Sequence, residues 1–459
     1  MSFQMHSHFA VQSQQKAFKT LTIKQILWLI IFFESSDSEK QKRLKLVRTT
    51  MVLAAAATSN CTAGASSSSL KTRTLVCDIG SGSIKVGIAG KLSPDGIIPC
   101  LVGHPKYSLS KNSDSEPELL VGNDALETGK YQKIGYRYAM DATGRVQDWK
   151  TLEIVLKRAL QIFKVSDYSQ HKILITRPYS MNEEDLKMMV DIFLLNFRFC
   201  AVAIHEQAAL VLYTQGVETG VVVELGESAV NIIPVYQGHA IPKLNRSLAV
   251  GGRTIMSYLL KLLKLKGFQM NEKEDLEVGR QIKETICYVA LDPSLDERLA
   301  SQTTVMTEFF KLPNGTIISV GRERFGAMEA LFKPNLCSIE SCGLSDMIFE
   351  VIKSADIDCR ADLYSNVILS GGTSLLPGMQ QRLEKDLNVR YTDDVLDGKE
   401  ARSLGWKPRV QAPSSRQYLV FEGAALFADY ISDNDKYWIS RDEYLQYGIQ
   451  RVLGKCTFM

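Results

Sequence analysis

The feature that most constrains this chain is a pattern that it uses twice. Residues 75–90 read as an apolar run, Asp78, Gly80, Gly82, a second polar-apolar strand and Gly90. Residues 221–238 repeat the theme with an apolar run, Glu224, Gly226, Glu227, a second strand and Gly238. Each reads as a β-hairpin whose turn is held by an acid and glycines, and the two first acids stand about 146 positions apart. Self-similarity at that distance points to duplicated halves facing one another across a cleft; two unrelated hairpins are the alternative.

The rest of the body fits such a plan. From Thr74 onward, short β-branched runs alternate with helical segments, which argues for an α/β fold with partly parallel sheets. Strands are expected at 75–78, 84–89, 172–176, 220–225, 229–235 and 366–369. Helices are expected where apolar residues recur at three and four: around Leu152, Val155, Leu156, Ala159 and Phe163; around Ile255, Leu259, Leu262 and Leu263; and around Met347, Ile348, Val351 and Ile352. The second of these ends at Gly267, with Lys261, Lys264 and Lys266 in its last turns, where the helix dipole favours cations. That basic face reads as solvated.

Composition removes several classes of function. At 45% hydrophobic and 23% charged, the 459 residues are ordinary globular chemistry, with room for two to four domains of roughly 100–200 residues. The formal charge is +3, but residues 1–73 hold ten basic and three acidic side chains, which leaves the body at −4. A mildly acidic body lacks the basic footprint of a protein built to neutralise phosphate backbones, so no direct nucleic-acid binding is expected. The nine cysteines are odd in number and scattered, with no C-x-x-C pair, and read as reduced thiols. The apolar run from Ile26 to Phe33 is eight residues long where a bilayer span needs about 20, so no transmembrane segment is expected. Residues 1–73, with an alanine run and a Ser-rich stretch, read as a low-complexity, disordered extension, or as upstream sequence read into the gene, rather than a targeting device.

Three turns carry the chemistry. In the first, Asp78-Ile79-Gly80-Ser81-Gly82 lets backbone N–H groups approach an anion, Asp78 can order the water shell of Mg²⁺, and Lys85 can neutralise phosphate. The second is the Glu224–Gly226–Glu227 turn. The third, Ser370-Gly371-Gly372-Thr373, follows a strand and precedes a helix beginning around Pro377, a seat for part of a nucleotide. Neither a Walker loop nor a Rossmann fingerprint is present.

These residues resemble a known family. The stretch DIGSGSIKVGIAG from Asp78, Gln207 to Tyr213, Arg280 to Glu284 running on to Val289, ILSGGT at 368–373, and Trp438-Ile439-Ser440-Arg441 are similar to actin and actin-related proteins, over residues 74–459. The runs at 259–268 and 355–358, the insertion around 395–398 and the run at 419–423 resemble the actin-related branch whose members belong to a complex that nucleates branched actin filaments. The resemblance implies an actin-like ATPase fold: two duplicated α/β domains with a nucleotide cleft between them, each bearing a smaller subdomain. The first would cover 74–214 with its subdomain at about 100–138, completed by 419–459; the second would cover 215–418 with its subdomain at about 251–339.

It also implies ATP or ADP with Mg²⁺ or Ca²⁺ as cofactors, and assigns roles. Asp78 orders the cation's waters, Gly80, Ser81 and Gly82 cradle phosphates, and Lys85 contacts them. Gln207 orients water, Glu227 is the cation-side acid of the second turn with Glu224 and Gly226 beside it, and Gly252, Arg280, Lys283, Glu284, Gly371 and Gly372 surround ribose and adenine.

The chain departs from the family's usual residues at Glu224 (Asp), Ser228 (Gly), Asn231 (His), Leu376 (an aromatic) and Gln417 (Lys). Glu224 moves a carboxylate by more than an ångström, Ser228 disfavours a positive-φ backbone, and Asn231 cannot act as a general base. The expectation is an ATP-binding structural subunit with slow or absent hydrolysis, at most a weak ATPase. Its expected setting is the cytoplasm and cytoskeleton, beside a second actin-related subunit, scaffold subunits and actin monomers or filaments. A polymerising conventional actin and a nuclear chromatin-remodelling subunit are the alternatives.

Overall fold

A computed structural model describes residues 73–105, 119–129, 134–179, 181–270, 275–396 and 407–456. The N-terminal extension and the Asp397-Gly398 part of the expected insertion lie outside the described residues. From Arg73 onward the chain forms a unit of its own.

Two six-stranded sheets dominate it, and they share a motif. In the first, Thr74–Ile79 pairs antiparallel with Ser83–Ile88 and parallel with Lys172–Arg177. In the second, Gly220–Leu225 pairs antiparallel with Val230–Tyr236 and parallel with Val367–Ser370. The echo in the sequence is therefore an echo in topology: a hairpin whose first strand is central and flanked by a parallel neighbour. Such central strands are covered on both faces, which is why they read as continuous apolar runs rather than alternating ones. All six residues of Gly220–Leu225 and five of six in Thr74–Ile79 are buried.

Helices Gln207–Gln215 and Leu419–Ile431 connect the two sheets. Leu210 and Phe421 pack with Val76 and Leu174 of the first sheet, while Ala208, Val211 and Leu419 pack with Val222, Ile233 and Ile368 of the second. The two helices touch backbone to backbone: a Cβ on Gly423 would lie 2.2 Å from the Leu210 carbonyl oxygen. Only glycine permits that approach.

The smaller elements flank the hairpins. A three-stranded sheet of Leu101–Pro105, Leu120–Val121 and Ile134–Tyr138 follows the first. Helices Gly252–Leu265, Leu276–Ile286 and Pro293–Gln302 and the ribbon of Glu308–Lys311 with Ile317–Val320 follow the second.

Element ends follow local chemistry. Helix Trp149–Leu160 begins where the Asp148 side chain accepts from Thr151 N, a cap worth about 1 kcal/mol. The Gly267 C-terminus has φ +105°, and Lys261, Lys264 and Lys266 are exposed, as the solvated reading of that face expects. Lys266 donates to the Ser319 carbonyl at 2.8 Å and to Glu323 at 3.1 Å. The helix expected from Pro377 starts at Met379, after a 3-10 turn at Gly372–Leu375. Among the described residues, no helix is long and apolar enough to cross a membrane.

Candidate functional site

The tips of both hairpins meet. The Ser228 N–H donates to Ser81 Oγ at 3.2 Å, and a Cβ on Gly82 would lie 2.8 Å from Glu227 Cβ. A cavity of about 640 Å³ opens at this junction, lined from both sheets. Asp78, Gly80, Ser81, Gly82 and Lys85 line it from the first hairpin, and Glu224, Gly226, Glu227 and Asn231 from the second. Gly371 and Gly372 line it from the third turn, and Arg280, Lys283 and Glu284 from helix Leu276–Ile286. Gln207, Leu376 and Gln417 complete the expected set.

Gly252 alone among the predicted residues does not face the cavity. It sits behind Glu227, where a Cβ would lie 2.4 Å from Glu227 Oε2, so it leaves room for a carboxylate rather than for ribose.

The first turn is organised around Asp78, which is 2% exposed. Cross-strand register places Lys85 opposite it, and Lys85 Nζ donates to Oδ2 at 2.9 Å. Thr176 Oγ donates to Oδ1 at 2.8 Å, and Gln207 Nε2 reaches the same oxygen at 3.4 Å. The Gln207 amide also donates to Thr176 Oγ at 3.2 Å and to the Ile79 carbonyl at 3.4 Å, so its side chain is fixed at the start of its helix. Thr176 was not anticipated from sequence. Its role depends on the parallel pairing of Thr74–Ile79 with Lys172–Arg177, a contact about a hundred residues apart.

The second turn departs from expectation at Ser228. Its backbone is not among the positive-φ residues, because the Gly226 N–H to Ala229 carbonyl bond at 3.0 Å closes the turn without a left-handed residue there. The anticipated strain is absent. Glu227 turns toward Lys283, with Oε2 4.0 Å from the buried ammonium. Glu224 stands opposite Asn231 across the hairpin. Burial, then the nearby Asp78 charge, push its carboxyl up to about 7 against the opposing hydrogen bond of Asn231.

The third turn holds a residue that must be glycine. Gly371 has φ +87°, and a Cβ there would lie 2.3 Å from the Leu225 carbonyl oxygen. The next glycine has nothing within 4 Å of a built Cβ and leaves that wall open. Thr373 Oγ donates to the Gly226 carbonyl at 2.8 Å and so ties the third turn to the second. On the adjoining helix, Glu277 accepts from Arg280 at 2.6 and 2.8 Å while Glu284 accepts at 2.8 Å. Glu277 was missed in the sequence, although its position three residues before Arg280 is the spacing at which helical ion pairs form.

The arrangement presents backbone amides of glycine-bearing turns and the cations of Lys85, Lys283 and Arg280 to one cavity, with apolar Leu376 at its wall. This is the chemistry of a cleft for a polyanion with an apolar end, built on duplicated α/β halves.

The sequence profile described as actin matches residues 69–457. The chain belongs to the actin family. It is 38% identical over 387 residues to actin-related protein 2 of Acanthamoeba castellanii, covering 84% of this chain and 99% of that protein. It is 36% identical over 377 residues to actin-related protein 2 of Arabidopsis thaliana, covering 82% and 96%. Against actin-related protein 2 of Caenorhabditis briggsae it is 38% identical over 387 residues, covering 83% and 97%.

Proposed function

We propose that this chain is the ATP-binding actin-related subunit of an assembly that nucleates branched actin filaments. The observation that carries the reading is the junction of the two glycine-bearing turns at one cleft, in a chain similar to actin-related protein 2 over nearly that protein's whole length. A nucleotide, when bound with its divalent cation, supplies the polyanion that both turns can hold. Gly80, Ser81 and Gly82 offer backbone amides to the phosphates, Gly226 keeps the second turn free of a side chain beside Ser81, and Lys85 offers charge. Asp78 and Glu227 stand on the cation's side. Lys283, Arg280, Glu284, Gly371 and Gly372 border the remainder, with Gly252 backing Glu227.

The halves so joined are residues 74–214 with 419–459 and residues 215–418. A ligand touching both stabilises the closed arrangement by its differential affinity, and the closed arrangement is the one presented to neighbours. Those neighbours are a second actin-related subunit, scaffold subunits and actin itself, in a cytoplasmic, cytoskeletal setting. Hydrolysis is slow: Gln207 is positioned to orient water, but Asn231 supplies no base.

Two measurements test the reading. Removing the Lys85 ammonium deprives the first turn of its only cation and leaves Asp78 buried beside phosphate. Lys85→Ala therefore weakens binding of a fluorescent ATP analogue at least tenfold, about 1.4 kcal/mol, with the thermal unfolding of the free protein as the control for folding. Unchanged affinity in a folded variant removes the first turn from the site. Purification of the tagged full chain from its own cells should bring down a second actin-related subunit, non-actin scaffold subunits and retained nucleotide. Homopolymers or remodelling subunits would instead establish one of the two alternatives.

A further inference from the structure

Three carboxylates stand at the hairpin tips, and they are not equivalent. Asp78 has Lys85 at 2.9 Å and two further donors. Glu227 has Lys283 at 4.0 Å. Glu224 has no cationic partner among the described residues. Its side chain is more than nine-tenths buried, it lines the cavity, and its Oε1 atom accepts no hydrogen bond. A buried carboxylate oxygen whose lone pairs accept nothing is expensive, and such groups are found paired or on a metal.

The neighbouring demand is already met. Asp78 Oδ1 accepts from Thr176 and Gln207 and Oδ2 from Lys85, whereas Glu224 Oε1 accepts from nothing, so a cation entering the junction finds an unengaged acceptor there. Position and reach agree with this. Glu224 is the penultimate residue of the central strand Gly220–Leu225, paired with Ser370 at the foot of the third turn. A glutamate there extends one C–C bond, about 1.5 Å, farther than the aspartate expected in the family. Mg²⁺ bonds oxygen at about 2.0–2.1 Å and keeps several waters, so a carboxylate that reaches farther displaces one of them.

We propose that Glu224 coordinates the cleft cation directly, taking the place of one water in its hydration shell. The inference rests on the nucleotide reading above and adds to it a direct protein ligand. It makes this cleft more selective for cations that exchange water for carboxylate readily.

Electron paramagnetic resonance of Mn²⁺ bound with ADP to the purified full chain tests this, with water ligands counted by line broadening in ¹⁷O-labelled water. The expected result is one more water on Mn²⁺ in Glu224→Asp than in the native chain, and at least a tenfold loss of Mn²⁺ affinity in Glu224→Gln. Circular dichroism and thermal unfolding without ligand serve as folding controls, and the aspartate variant keeps the charge should the glutamine variant misfold. An unchanged water count and affinity, with ADP and Mn²⁺ both bound, overturns direct coordination and leaves the nucleotide reading standing. If neither ADP nor Mn²⁺ binds the native chain, both fall together.

Discussion

Replacing Arg382 by methionine should lower the unfolding free energy by about 3–5 kcal/mol, because it removes one partner from a buried, multiply bonded ion pair. The Arg382 guanidinium donates to Glu329 at 3.0 Å, to Asp386 at 3.0 Å and to the Ala290 carbonyl at 2.7 Å, and it lies 4.3 Å from the centre of the Phe332 ring. Arg382 and Glu329 side chains are each 9% exposed. Methionine fills much of the volume but leaves the Glu329 carboxylate buried without its cation and the Ala290 carbonyl without a donor. Burial already pushes Glu329 above the ordinary carboxylate range even with Arg382 beside it. The second substitution therefore matters: Arg382→Met with Glu329→Gln should recover at least half of the loss, since it discharges the stranded carboxylate. Urea unfolding of the three proteins at fixed nucleotide concentration decides it. A single-variant cost under about 1 kcal/mol, or no recovery in the double variant, would show that the pair contributes little.

That pair bears on the cleft through its location. Arg382 is in the first turns of helix Met379–Asp394, which emerges from the Gly371–Pro377 seat, and it anchors that helix to the 3-10 turn Met328–Leu331. Loosening it frees the wall formed by Gly371, Gly372 and Leu376 before it disturbs the first hairpin. Nucleotide affinity should thus fall with stability in this variant.

The sequence made the duplicated hairpins legible because their signals are local. An apolar run ending in an acid and a glycine needs no distant partner to be recognised, and the end of helix Gly252–Leu265 followed from the glycine at 267. What stayed hidden depends on pairing across the chain. Thr176 became a ligand of Asp78 only through parallel register, and Thr373 pinned Gly226 only because Val367–Ser370 lies beside Gly220–Leu225. Ser228 shows the opposite error: residue type suggested strain, but a neighbouring backbone bond had removed the need for positive φ. For Gly252, the family resemblance implied a place beside ribose and adenine, and the space that its missing side chain leaves is taken by another group. It proved to be Glu227.

Acidification should reveal a second cost, stored at His205. This residue is the penultimate one of strand Ala201–Glu206, which leads into Gln207, and it is 3% exposed. Its ring stands edge-on to Phe427 at 4.5 Å and to Tyr213 at 5.6 Å, Nδ1 lies 3.2 Å from the Glu206 carbonyl, and Nε2 is buried without a partner. Arg177, paired with Glu206 at 2.8 Å, bears on the ring and disfavours its charged form. Burial, aided by Arg177 and opposed by the Glu206 carbonyl, pushes the imidazole down to about 4 from 6.5.

The unfolded chain binds a proton as pH falls through 6.5, while the folded chain does not until about 4. Stability from this group is therefore complete above pH 6.5 and is lost on acidification at about 1.4 kcal/mol per unit, roughly 3 kcal/mol by pH 4. His205→Leu keeps the volume and abolishes that slope, but it forfeits the bond to the Glu206 carbonyl, about 1 kcal/mol at every pH. Urea unfolding of both proteins at pH 7.5 and 5.0 should find the native chain more stable at the higher pH and the order reversed at the lower. A difference that is the same at both pH values would mean that the ring is charged, or solvated, in the folded protein. If the order does reverse, the strain falls on the strand end that positions Gln207 against Asp78. Acid should then release bound nucleotide faster from the native chain than from the leucine variant.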